Sequence, residues 1–467
     1  MTSFQLLTVL LVAASVAPAE KSKELERRVT VTAGQAVEIR GLNGSEIEIK
    51  TWDKSEVYVR LHVVLSSSNK ELEKEYIDGV AITDRVTADR AVITFSEPKH
   101  DLSDGFSFKK LFTLSFGSYI RKEISGEVFV PKKNAFTSDM KYGSITLDDM
   151  AGSVRLEGQS NTIRIRKCSN LTWIRNDYGT ATIDDSGGEL DLRTQSGKVE
   201  IENFTGSLVL SADYSTVTVG KVSKGLRLTS KSATIKVADI GGDASIDADY
   251  STVTVERVKG TVKVSDKSGN IKVHSVEGAS IDGAYSNIQL SSVAGTAEKT
   301  ITITGMSGKL NLSDVVGNVQ IDNPYSTMEL MNVKGNVNLK TKSGSVTAEE
   351  VSGDWTSDTE YSTIRLRKLR AQKVLMENSS GVVEVDLLNA PQHLEVRNQY
   401  ADVNIHLPQG LAAAIRLKSE YGTVKTNLPV EIETFSTGAL AIGSVGDGSG
   451  SFRVETKSGN VKVVEQK

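Results

Sequence analysis

Tyrosines recur along this chain at a spacing that could build a binding surface. They follow one another at intervals of roughly 36 residues. The eight members are Tyr142, Tyr178, Tyr214, Tyr250, Tyr285, Tyr325, Tyr361 and Tyr400. Aromatic rings presented at regular intervals can stack on sugar faces, and a tyrosine also offers a hydroxyl. The pattern therefore makes these tyrosines candidate ligand-binding residues for a glycan.

Carboxylates accompany the tyrosines and allow two interpretations. They are Asp177, Asp213, Asp249, Asp247 and Asp322. A row of carboxylates could line a cation or glycan site. The interpretation we favour is that they are turn residues bonding backbone amides, because Asp is enriched in turns for that reason.

The other reactive residue types form no recognisable site in the sequence. The five histidines share no metal-ligand spacing, and the single cysteine is Cys168. We find no nucleophile-elbow, phosphate-loop or zinc pattern. The sequence therefore predicts no catalytic residue, metal or cofactor, and a protein that is not an enzyme. A polysaccharide-active enzyme is the weaker alternative.

An 18-residue period predicts the elements that position these side chains. Starting at Ile145, steps of 18 reach apolar or small residues in eight successive coils, through Ile271, and offsets of two, five, nine and eleven do the same with few exceptions. Offsets zero and two form one strand face, and nine and eleven form another. Repeats of this length bury their apolar faces only by stacking. The prediction is an all-β parallel β-helix with 18-residue two-strand coils.

The offsets also guide the choice among solenoid types. They do not fit the six-residue step of a hexapeptide helix, and the Gly-rich turns of a calcium β-roll are missing. We therefore predict a right-handed helix. Offset five, at a corner, places Cys168 inward, whereas His274 follows an inward valine and points outward.

Serines fall midway between the tyrosines, so two unlike coils alternate. The serines are Ser160, Ser196, Ser232, Ser268, Ser307, Ser343 and Ser380. Rings on every second coil would lie roughly 9.6 Å apart along one edge. The alternative to glycan binding is steric, because a large tyrosine beside a small serine could simply cover the corner.

The chain divides into three predicted segments. Residues 1–19 resemble a cleaved signal peptide, with an apolar run before Ala17-Pro18-Ala19. Residues 20–135 lack the period and form a β-rich N-terminal domain or cap, with one short helix at Asn69–Tyr76, and residues 136–467 form the β-helix. We expect an exported protein, periplasmic, secreted or on the outer surface, with no transmembrane span after cleavage. A net charge of −4 over 467 residues gives no basic field for nucleic acid.

A phenylalanine-rich segment at residues 105–119 interrupts the N-terminal part. It contains Phe106, Phe108, Phe112 and Phe116. These side chains are candidates for contact with a protein partner or a membrane surface. The favoured alternative is a loop that covers the end of the solenoid, where unpaired strand edges would invite aggregation.

Several motifs, in this order, resemble a known family. They are Gly41-Leu42-Asn43-Gly44, Ile49-Lys50-Thr51-Trp52-Asp53, Val128-Phe129-Val130-Pro131-Lys132 and the repeated Tyr/Ser coils. The chain, from Val29 to Lys467, resembles the bacterial putative-adhesin family with β-strand repeats, a domain of unknown function. The resemblance implies a β-helical, envelope-associated protein without catalysis.

The sequence thus predicts a non-catalytic cell-envelope protein with a structural, adhesive or binding role. Its expected partner is a glycan, along the tyrosines, or an envelope protein. The alternative is an envelope-stress or assembly accessory that binds through the phenylalanine-rich segment.

Overall fold

The computed structural model describes residues 21–98, 120–295 and 300–466. In these ranges nearly every element is a strand, and the coils form a β-solenoid of about 15 turns with a repeat of about 18 residues. The predicted all-β solenoid is confirmed. Its handedness stays a prediction.

The N-terminal region contains seven strands and a helix. The strands are β1 Lys21–Thr30, β2 Ala36–Arg40, β3 Glu46–Trp52, β4 Glu56–Ser67, β5 Ala81–Val86, β6 Arg90–Ser96 and β7 Ile120–Pro131. Helix α1 spans Lys70–Gly79 and packs against β4 and β1. Asn69 caps α1 because its side chain accepts hydrogen bonds from the backbone N–H groups of Glu71 and Leu72.

The body of the solenoid contains strands β8 to β33. The first thirteen are β8 Phe136–Lys141, β9 Ser144–Asp148, β10 Val154–Gln159, β11 Thr162–Arg166, β12 Leu171–Asp177, β13 Thr180–Asp184, β14 Gly187–Gln195, β15 Lys198–Glu202, β16 Thr205–Asp213, β17 Thr216–Val222, β18 Leu226–Lys231, β19 Thr234–Ile240 and β20 Ala244–Asp249. The next thirteen are β21 Thr252–Asp266, β22 Asn270–Gly283, β23 Asn287–Ala294, β24 Ile301–Gly305, β25 Ser307–Val316, β26 Val319–Asp322, β27 Tyr325–Lys334, β28 Val337–Ser352, β29 Trp355–Leu369, β30 Lys373–Ser380, β31 Val383–Leu387, β32 His393–Tyr400 and β33 Val403–Leu407.

Six further strands form the C-terminal end. They are β34 Ala413–Tyr421, β35 Val424–Thr426, β36 Glu431–Thr434, β37 Ala439–Val445, β38 Gly450–Ser458 and β39 Val461–Glu465.

The strands of the body build two parallel stacks that meet at two corners. Stack A contains strands that end just before a tyrosine or serine corner, such as β8, β10 and β12. Stack B contains those that follow it, such as β9, β11 and β13. Strands β21, β22, β28 and β29 run through a corner and belong to both stacks. Alternate side chains of both stacks point into one continuous apolar core.

The coils are not all 18 residues long. Ile271 pairs with Ile288, 17 residues later, and Ile288 pairs with Leu310, 22 residues later. In the longer coil, Ile301–Gly305 is already a regular strand of stack A. The extra residues therefore precede Ile301.

The N-terminal region continues the two stacks. Strands β2 and β3 pair in parallel with β8 and β9. Beyond these strands the pairing becomes antiparallel. In stack A, β5 pairs with β6, and in stack B, β4 pairs with β7 and β1. Antiparallel strands and α1 thus lie at this end of the solenoid.

At the other end, the strands do not stack in chain order. Strand β38, from the last coil, lies between β32 and β34, and β39 lies between β33 and β35. The displaced β34 pairs antiparallel with β37, which pairs with β36. The 18-residue period does not predict this exchange of order.

Candidate functional site

The first four tyrosines lie at a corner where the backbone adopts a left-handed conformation. The φ angles of Tyr142, Tyr178, Tyr214 and Tyr250 are between 53° and 61°, and those of Ser160, Ser196 and Ser232 are between 51° and 56°. Positive φ is uncommon for residues other than glycine. Neighbouring coils hold the corner, because the N–H of Tyr214 donates to the carbonyl of Lys231 at 2.7 Å and that of Ser232 to Asp249 at 2.8 Å.

All eight predicted tyrosines lie on the surface. Their exposed fractions range from 51% for Tyr178 to 66% for Tyr361. A ring that lay flat over a neighbouring serine would lose much of this exposure, so these values favour rings that are accessible to a ligand. The hydroxyl of Tyr178, the least exposed of the eight, donates a hydrogen bond of 3.3 Å to Gln195 Oε1.

Strand register places tyrosines and serines directly over one another. Ser307 pairs with Tyr325, Tyr325 with Ser343, and Ser343 with Tyr361. At about 4.8 Å per coil, rings on alternate coils are roughly 9.6 Å apart. We call the aligned set Tyr142, Tyr178, Tyr214, Tyr250, Tyr285, Tyr325, Tyr361 and Tyr400 the tyrosine row.

A ninth tyrosine joins this edge and was missed in the sequence. Tyr421 is 57% exposed and pairs in register with Ser458, which also pairs with Tyr400. The available signal was Glu420-Tyr421-Gly422-Thr423-Val424, which has the form of the earlier tyrosine corners. We overlooked it because the chain leaves the 18-residue register there.

Charged side chains surround the row in pairs. Asp249 accepts a bond of 2.5 Å from Lys267 on the next coil, and this carboxylate raises the pKa of Lys267 above its ordinary value. Asp177 pairs with Arg175 at 2.9 Å, within its own strand. Asp247 and Asp322 point outward on their strands.

The expectation that these aspartates bond turn amides is wrong for Asp177 and Asp249, which accept hydrogen bonds from the side-chain cations of Arg175 and Lys267 instead. The residue after the tyrosine has that role instead. Ser215 Oγ donates to the carbonyl of Asp213 at 2.7 Å and accepts from the N–H of Gly197 at 3.0 Å, and Ser251 repeats the arrangement.

A buried carboxylate lies just inside the same corner and was not foreseen. Asp266, two residues before Ser268, is 1% exposed. Its Oδ2 accepts from Ser286 Oγ at 3.1 Å, and burial raises the pKa of this carboxyl. Asparagines occupy the equivalent inward position at Asn176, Asn378 and Asn398. An acidic residue at an inward position of the repeat is the sequence signal that predicts this buried carboxylate.

The second corner, opposite along each coil, carries alternating charges. Its left-handed residues include Asp185, Lys221, Asp239 and Arg257. They line a groove of about 1050 Å³, in which Arg257 binds Asp239 at 2.7 Å. Because Arg257 is already paired with Asp239 and Lys221 with Glu202, we do not assign a ligand to this groove.

The family motifs noted in the sequence meet in the N-terminal region. The rings of Trp52 and Phe129 are 5.0 Å apart, and Tyr58 stacks 6.0 Å from Phe129. Arg28 lies 4.0 Å above the ring of Tyr58, and Lys54 lies 4.6 Å from Trp52. Cations and neighbouring rings thus contact these aromatic side chains, so we assign them to packing of the N-terminal region and not to ligand binding.

The remaining candidates are placed as follows. Cys168 is buried, and burial raises the pKa of its thiol to about 11. His274 faces outward and contacts Ser291. Phe106, Phe108, Phe112 and Phe116 lie outside the described residues. In the part of the chain that the structure describes, no three His, Cys, Asp or Glu side chains form a metal-binding group, and no helix is long and apolar enough to cross a membrane.

Fold and corner geometry together define the class: an all-β solenoid with parallel stacks and an exposed tyrosine edge. Residues 245–464, just under half of the chain, match the model of the family described as Toastrack DUF4097. The matched segment is shorter than the resemblance seen in the sequence, although the recognised family is confirmed.

The chain is also similar to a crystal structure described as a "putative cell adhesion protein" from Clostridium sporogenes ATCC 15579. The identity is 11%, the match covers 96% of this chain and 100% of that one, and the TM-score is 0.17. No curated protein matches the chain.

Proposed function

We propose that this protein is an exported, non-catalytic solenoid that binds glycan of the cell envelope or its surroundings along the tyrosine row. The observation on which this depends is the alignment of eight exposed tyrosines on alternate coils. A rigid row with one repeat suits a polymer better than a compact small molecule, because a polymer can contact several rings at once.

Regular spacing would make binding multivalent. Each ring contributes a weak contact with a sugar face, and neighbouring contacts become effectively intramolecular once the first has formed. Parallel strand pairing fixes the backbone positions that carry the rings, so no backbone segment has to become ordered on binding. The position outside the cytoplasm is part of this proposal, and it depends on the signal-like residues 1–19.

The experiment uses purified full chain and insoluble cell-wall polysaccharide in a co-sedimentation assay. Tyr214→Ala combined with Tyr250→Ala removes two neighbouring members of the row and should reduce binding at least tenfold. Val209→Ala is the matched control, because Val209 is exposed on β16, away from the row. It should bind like the unchanged chain.

Melting temperatures separate the two interpretations of the tyrosines. Glycan binding predicts that the double variant melts within a few degrees of the unchanged chain. A lower melting temperature with full polysaccharide binding would favour the steric role and refute the proposal.

A further inference from the structure

The two ends of the solenoid expose strand edges that are complementary in charge and direction. At the C-terminal end of stack A, β36 pairs with β37, and in the described residues its other edge has no strand partner. At the N-terminal end of the same stack, β5 pairs with β6, and its outer edge is likewise unpaired within the described chain. Unpaired edges are templates for another strand.

The C-terminal end exposes apolar side chains on both faces of the β36–β37 pair. Ile432 and Phe435, in and just after β36, are 45% and 55% exposed, and Ile442 on β37 is 50% exposed. At the opposite end, Val86 of β5 is 47% exposed. Each edge therefore offers apolar surface beside its free backbone groups, unlike an edge that is protected by charges alone.

The exposed charges on the two strand edges differ in sign. From Thr426 to Phe452 the sequence has no lysine or arginine, and it has three acids, Glu431, Glu433 and Asp447. Glu431 and Glu433 lie on β36 itself and are exposed. On β5, Arg85 is exposed, whereas Asp84 is paired with Arg27 of β1. Opposite charges favour a contact between unlike ends over one between like ends.

Strand direction also permits the junction. Strand β36 is antiparallel to β37, which is antiparallel to β34, so β36 runs in the direction of the body strands. Strand β5 runs against them, because it is antiparallel to β6 and β6 is parallel to β2. A second copy placed on the same axis would thus present β5 antiparallel to β36.

We propose that copies of this chain associate head to tail, with the β36 edge and its exposed apolar side chains docking on the β5 edge of the next copy. The two surfaces differ, so the contact is heterologous and leaves a free end on every assembly. Repetition would produce a filament that extends the stack A sheet across each junction.

Sedimentation velocity and negative-stain electron microscopy on purified full chain test this inference. Between micromolar and near-millimolar concentration at low salt, the mean mass should rise without reaching a fixed oligomer, and rods longer than one chain should appear. Because opposite charges steer the contact, high salt should reduce assembly.

Matched variants assign the contact. Ile432→Lys with Phe435→Ser should weaken association at least tenfold, whereas Val209→Lys, in an equally exposed position along the rod, should leave it unchanged. Glu431→Arg with Glu433→Arg should block assembly, as should Arg85→Glu, and mixing these two proteins should restore it. Circular dichroism shows whether each variant is folded.

Three outcomes would overturn the proposal. They are a monomer throughout the concentration range, a closed dimer that grows no further, and undiminished assembly of the folded Ile432→Lys, Phe435→Ser variant. A monomer whose end is captured only by a different protein also contradicts self-assembly.

Discussion

The carboxylate of Asp266 lies inside the solenoid, with its Oδ2 accepting a 3.1 Å hydrogen bond from Ser286 Oγ. Burial raises its pKa, so the folded chain holds this proton more tightly than the unfolded chain does. The resulting stability is complete below the ordinary Asp pKa and is lost as pH rises through the raised value.

We therefore expect Asp266→Asn to raise the melting temperature at pH 7. The amide can donate to Ser286 Oγ without burying a charge, and the asparagines at the equivalent positions, Asn378 and Asn398, donate to the backbone carbonyls of Ser362 and Gly381. The gain should shrink as the pH falls towards 4, because the carboxyl of the unchanged chain then becomes neutral. Equal gains at both pH values would contradict this explanation.

The thiol of Cys168 should be unreactive in the folded chain. It is buried, and a pKa of about 11 leaves it protonated at neutral pH. Iodoacetamide labelling followed by mass spectrometry should show no more than slow modification in buffer and full modification in denaturant. Rapid labelling of the native chain would disprove the inward placement.

Trp355 should be the most sensitive of the aromatic core residues. It is fully buried between Val337 and Val374 on adjacent coils, and its indole Nε1 has no hydrogen-bond partner in the described structure. Trp355→Ala should cost about 3–5 kcal/mol of unfolding free energy. Trp355→Phe should cost only about 1–2 kcal/mol, because it also removes an unpaired polar group. Denaturant titration measures both, and equal costs would argue against this account.

Gly158 should not tolerate a side chain. A Cβ there would lie 2.0 Å from the carbonyl oxygen of Met140 on the preceding coil. We expect Gly158→Ala to cost about 1–3 kcal/mol, through displacement of stacked backbone. Gly225→Ala is the control, because its Cβ would lie 3.1 Å from the nearest atom, the Asp243 oxygen. A melting temperature of Gly158→Ala no lower than that of Gly225→Ala would contradict a steric clash at Gly158.

Much of the fold could be predicted because each coil shows the same pattern of inward residues within its own 18 positions. Ile163 and Ala181, assigned to the same inward position from sequence, are register partners in the structure. The same arithmetic placed the tyrosines at one corner and Cys168 in the core. It failed at Tyr421 and in the order of the last coils, where loops of unequal length replace the 18-residue step.

The sequence by itself determined the coil length, the inward and outward faces and the alternation of tyrosine with serine. The two-residue period of a strand decides which face a side chain occupies, and the fixed repeat decides which residues of neighbouring coils are aligned. Only the tertiary structure decided that β38 inserts between β32 and β34, that antiparallel strands end both stacks, and that Asp266 is buried. These depend on which strand edges meet, a long-range choice among similar coils that spacing alone does not specify.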